Sequence, residues 1–154
     1  MKLRKRGVFV ITIGNLALLY TACWLGYSYF KYQPYGVDMK KIPTDSYLFI
    51  DKDPYTYSAS KPGFGSFTGN LAVSNQTDSS SLIIWPLASG GYEYGLQLQA
   101  ENGHSYCILV DENMAFIQSD NQILGQAKAE HILAKNEQAV QTLKEKTDLY
   151  WNLS

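Results

Sequence analysis

SFTGNLAVS, residues 66–74, alternates apolar and polar side chains: Phe67, Leu71 and Val73 fall among Ser66, Thr68, Asn70, Ala72 and Ser74. Successive side chains of a strand point to opposite faces, so the pattern is that of an antiparallel sheet with one face buried. Similar short runs bounded by turn residues predict strands at 46–51, 82–87, 92–100, 105–110 and 113–118. Pro86 has no N–H for a ladder and marks an edge or an end of its strand.

The pattern changes at residue 126. QAKAEHILAKNEQAVQTLKEKTDLYW, residues 126–151, is rich in Ala, Lys, Glu, Gln and Leu, and Leu133, Val140, Leu143 and Trp151 recur near helical spacing. It reads as one long helix, bent near Asn136, whose apolar stripe covers the sheet. Strands first and a helix last define an α+β domain: a small antiparallel meander or half-barrel of about six strands with the helix packed on it.

Ahead of the domain, residues 7–30 carry no charge. As a helix they span roughly 36 Å, against about 30 Å for the hydrocarbon core of a bilayer. The predicted organisation is a basic cytoplasmic tail at 1–6, a transmembrane signal anchor at 7–30, a stem at 31–45 and an extracytoplasmic domain at 46–154. Lys2, Arg4, Lys5 and Arg6 set that orientation by the positive-inside rule. Trp24, Tyr27, Tyr29 and Tyr32, continued by Tyr35, form an aromatic belt expected at the far membrane interface. Asn15, with Ala22 and Gly26 in a small-xxx-small spacing, is the expected helix–helix contact.

A cleaved signal would stop after a shorter apolar run, whereas this one continues past Ala22 through Trp24, Leu25, Tyr27, Tyr29 and Phe30. Thr21-Ala22-Cys23 resembles the end of a bacterial lipobox, with Tyr20 standing where Leu is usual. The alternative it raises is a lipoprotein acylated at Cys23; the reading preferred is a small apolar residue within the anchor.

Charge narrows the partners. Residues 31–154 hold nine Lys against fourteen Asp and Glu, a formal −5, and such a domain has no basic footprint for nucleic acid. The partners expected are the membrane and an envelope protein or a small ligand. The two cysteines, Cys23 and Cys107, lie in different segments, so no internal disulfide staples the domain.

No motif calls for a cofactor or a metal. Asn102-Gly103 predicts a two-residue hairpin turn with Glu101 opposite His104. Leu98 would then face Cys107 and Leu96 would face Leu109 on the core side, with a second short turn at 111–113 bringing Met114 and Phe116 to the same side. His104 and Cys107, three apart, point to opposite faces and make a poor nucleophile–base pair. His131 is a lone helix histidine. DKDP (51–54) and DENM (111–114) lack the remainder of a calcium loop and read as turns. KPGFGSFTGN (61–70) lacks the Gly-Lys-Ser/Thr ending of a phosphate loop, and Gly69 marks a bulge or a close backbone approach.

Tyr55 and Tyr57, in a Pro-containing segment read as irregular, are the expected binding surface. The function expected is non-catalytic binding by a membrane-anchored domain. The rival is a small envelope hydrolase in which His104 or His131 meets Asp111 or Glu93 in one pocket.

Overall fold

A 31-residue helix, α1 (Lys2–Tyr32), leads into an antiparallel sheet in this computed structural model, which describes residues 2–41, 47–100, 103–119 and 124–153. α1 is long and apolar enough to cross a membrane, and none of its apolar window is buried in the protein. It gives way to a 3₁₀ turn at Gln33–Gly36, where Pro34 sits in the first turn. The pyrrolidine ring cannot donate into a continuing α-helix, so the stem begins there.

The sheet has eight strands in sequential order: β1 (Lys40–Lys41), β2 (Tyr47–Lys52), β3 (Tyr55–Ser60), β4 (Asn70–Asn75), β5 (Ser81–Pro86), β6 (Tyr92–Gln99), β7 (Ser105–Val110) and β8 (Phe116–Ser119). Two of these strands had no counterpart in the sequence reading. β1 lies within the predicted stem, and β3 falls on the segment holding Tyr55 and Tyr57. YTYSAS shows no apolar alternation because β3 is paired on both sides and three successive residues, Tyr57, Ser58 and Ala59, are buried. Residue 46, where β2 was expected to begin, and 42–45 of the predicted stem lie outside the described residues.

One face of the sheet supplies the core. Leu71 and Val73 of β4, Leu82 and Ile84 of β5, Leu96 and Leu98 of β6, and Ile108 and Val110 of β7 are buried in a single cluster. Each such side chain contributes roughly 1.5–3 kcal/mol by leaving water.

The predicted β6–β7 register is wrong by one residue. Leu96 pairs with Ile108, Gln97 with Cys107 and Leu98 with Tyr106. The Ala100 N–H donates to the His104 carbonyl at 2.9 Å and the Gly103 N–H to the Ala100 carbonyl at 2.9 Å, so the connection holds three residues, not two. Because side chains alternate with period two, the slip turns all of β7 over. Ile108 and Val110 face the core, and Cys107 and Leu109 lie half-buried on the other face. Glu101 and Asn102, on which the shorter turn was read, lie outside the described residues. A second longer turn, in which Asp111 N–H meets the Ala115 carbonyl, flips the parity again. Met114 and Phe116 therefore reach the core side as expected, Met114 from the turn itself.

The covering helix is two helices, α2 (Gln126–Lys135) and α3 (Glu137–Trp151), broken at Asn136. The Asn136 side chain donates to the Ile132 carbonyl at 2.8 Å, competing with the backbone ladder at the predicted bend. α2 packs on β6 and β8, and α3 on β4 and β5. Ala129, Ile132, Val140 and Leu143 complete the core.

Candidate functional site

Four places deserve comparison: the junction of α1 with the β3–β4 loop, two cavities and an aromatic groove. At the junction, residues 61–69 lie along the C-terminal part of α1. The Trp24 indole donates to the Ser66 carbonyl at 2.7 Å and the Tyr27 hydroxyl to the Phe67 carbonyl at 2.9 Å. The Gly69 N–H donates to the Tyr32 hydroxyl at 2.6 Å, and Tyr32 is 1% exposed. Three of the four aromatic residues read as a membrane belt thus hold a protein loop. The fourth, Tyr29, is exposed, with the Lys61 ammonium 5.3 Å from its ring centre. Gly69 is a close backbone approach, not a bulge: a Cβ there would collide with the Ser60 carbonyl and stand 2.8 Å from the Tyr32 ring.

Asn15 and Ala22 are exposed on α1, and a Cβ at Gly26 would meet nothing within 4 Å. That face of the helix is uncovered by its own chain. Cys23 is a free, exposed cysteine in the C-terminal third of the helix.

The larger cavity, about 770 Å³, opens beside β6, β7 and β8 and is lined by Tyr92, Glu93, Tyr94, Asp111, Glu112 and Leu153, among others. Its rim meets the stem where the Tyr92 and Tyr35 hydroxyls stand 3.3 Å apart. Burial, then the Asp148, Tyr92 and Glu112 side chains, push the Tyr94 hydroxyl above the ordinary tyrosine range. Asp111 is occupied locally, its carboxylate accepting the Asn113 and Ala115 N–H groups at 2.9 and 2.8 Å. That is the turn role read from DENM. In DKDP the turn is Asp53-Pro54, while Asp51 belongs to β2 and accepts the hydroxyl of its cross-strand partner Thr56 at 2.7 Å.

A smaller cavity of about 210 Å³ holds the exposed His131, with Gln99, Lys128, Lys135 and Asn136. Among the described residues, the histidine cavity has no carboxylate and the carboxylate cavity has no histidine. His104 is exposed at the β6–β7 connection and lines neither. No group of three or more His, Cys, Asp or Glu arranged for a metal occurs among the described residues.

Tyr55 and Tyr57 line a groove of about 340 Å³ with Lys52, Lys146 and Tyr150. The expectation that both present an accessible surface needs correction for Tyr57, which is 5% exposed. Its ring stacks on Tyr150 at 4.4 Å between centres because β3 is an interior strand under α3. Tyr55 is half-buried, with the Lys146 ammonium 5.5 Å from its ring. Lys52 closes the groove, 4.5 Å above Tyr150. The groove thus holds three tyrosine rings, two ammonium groups and the Asp53 carboxylate.

No protein-family model, no curated protein and no solved structure matches this chain.

Proposed function

We propose that the chain is a single-pass membrane protein whose α+β domain lies outside the cytoplasm and binds an envelope protein or small ligand without catalysis. The observation that carries this reading is α1 itself: none of its apolar window is buried in the protein, while its C-terminal part is tied to the domain. An apolar helix of this length needs a cover, and the hydrocarbon of a bilayer supplies one. Lys2, Arg4, Lys5 and Arg6 immediately before the span favour a domain that faces outward, by the positive-inside rule. Among the described residues neither cavity brings a histidine together with a carboxylate, and general acid–base hydrolysis needs both within hydrogen-bond reach.

The test is a crosslinking pull-down from membranes of the whole chain and of a chimera in which residues 1–19 are exchanged for an unrelated anchor. The splice precedes Tyr20 so that Trp24, Tyr27 and Tyr32 keep their loop contacts. Partners kept by both proteins place binding in the outer domain. Partners lost with the native helix place it on the exchanged part of the span, where Asn15 lies. Capture of none by either protein overturns the binding reading.

A further inference from the structure

The β3–β4 loop, residues 61–69, descends alongside α1 instead of capping the sheet. Its tip is a turn closed by the Ser66 N–H to the Gly63 carbonyl at 2.9 Å, with Gly65 at φ +85°, the backbone a type II turn requires at its third position. Phe64 stands at the apex and is 70% exposed. Its ring nevertheless has company on one side, edge-on to Trp24 at 5.2 Å and to Tyr20 at 6.3 Å. Phe67, also exposed, packs edge-on against Tyr27 at 5.5 Å and Tyr20 at 6.3 Å.

These contacts fix the loop's depth. The nearest charges along α1 are Arg6 and Lys31, so a hydrocarbon core of about 30 Å leaves only roughly 6 Å of slack in placing the span. The outer boundary then falls between about residue 27 and residue 30. Trp24 lies roughly 4–9 Å beneath that boundary and Tyr20 roughly 10–15 Å beneath it. Phe64, touching both, is carried to the same depth.

We propose that this loop is a second membrane contact, Phe64 and Phe67 entering the outward leaflet beside α1 and lipid covering their free faces. The proposal rests on the reading that α1 spans a bilayer. Polar backbone groups that enter a bilayer need partners, and the shank of the loop, residues 66–69, has them. Here the Ser66 and Phe67 carbonyls accept from Trp24 and Tyr27, the Thr68 carbonyl accepts from the Ser66 hydroxyl at 3.1 Å, and the Gly69 N–H donates to Tyr32. No charged residue occurs from Pro62 to Thr77. Lys61, where the loop begins, stands over Tyr29, level with the headgroup phosphates. An amphipathic belt at the helix and an apolar tip at the loop thus form one continuous lipid-facing surface.

The test uses the whole chain carrying Cys23→Ala and Cys107→Ala, reconstituted in phosphatidylcholine–phosphatidylglycerol vesicles, with a nitroxide attached at Leu18→Cys, Phe64→Cys or Thr77→Cys. Gly63→Cys serves as a second loop position, since a Cβ there meets nothing within 4 Å. Collision with oxygen, which partitions into lipid, is compared with collision with a water-soluble nickel chelate. Oxygen is expected to dominate at 18, 63 and 64, and nickel at 77. Oxygen at 18 with nickel at 63 and 64 overturns the loop insertion and leaves the span intact. Nickel at 18 as well overturns the span and the insertion together.

Discussion

The indole Nε1–H of Trp151, in the last turn of α3, donates to the backbone carbonyl of Tyr35 at 3.0 Å, across 116 positions of chain. The bond ties the final helix to the segment that follows α1, and Tyr57 packs edge-on against the same indole at 5.9 Å. Trp151→Phe keeps an aromatic ring and removes the donor. It is expected to lower stability by about 1 kcal/mol, read as a shift of the denaturant midpoint at constant slope.

Tyr32 and Gly69 meet more tightly still. Tyr32→Phe leaves a buried N–H without its acceptor and is expected to cost about 1–3 kcal/mol, with faster hydrogen exchange at the Gly69 amide. Gly69→Ala forces a methyl against Tyr32 and the Ser60 carbonyl, at about 1–3 kcal/mol. The two residues touch, so the double variant should lose less than the two single losses added together. Full additivity would show that the contact is not shared.

Alkaline pH should weaken the fold. Burial raises the hydroxyls of Tyr57, Tyr94 and Tyr150 above the ordinary 10.0. An unfolded chain gives up these protons more readily than the folded one, so the folded state binds more protons in that range. Stability is then fully present below pH 10.0 and falls as pH rises through and above it. Tyr94→Phe is expected to flatten part of that slope in urea titrations at successive pH values; an unchanged slope would contradict the assignment.

Thr147 on α3 is 1% exposed, and its hydroxyl has no partner among the described residues. A buried hydroxyl without a hydrogen bond carries a desolvation penalty. Thr147→Val keeps the branched shape and removes the polar atom, with an expected gain of about 1 kcal/mol by thermal or chemical melting. A loss would mean that the hydroxyl is bonded in solution.

Much of the candidate site could be named from sequence, but with a different role. Trp24, Tyr27 and Tyr32 stand out as an aromatic series after an apolar run, and their polar tips suggested headgroups. In the structure those tips hold residues 66–69, because each polar tip pairs with whichever backbone group the fold brings nearest. The local signal for the loop was present in the uncharged PGFGSFTG with its two phenylalanines. It was obscured because Phe67 continued the alternation of Leu71 and Val73, whereas β4 begins only at Asn70.

Periodicity and composition determined the elements whose signals are local: the apolar helix from charge-free residues 7–30, the sheet from alternation, the covering helices from their 3.6-residue stripe and the break from Asn136. Tertiary structure alone decided the pairing. One extra residue between β6 and β7 exchanges Cys107 and Leu109 for Ile108 and Val110 in the core, a choice set by turn geometry and the fit of the whole sheet. It also decided that Tyr57 is core and that Phe64 lies against Tyr20 and Trp24, since contacts between distant segments depend on where the chain returns and leave no period in the sequence.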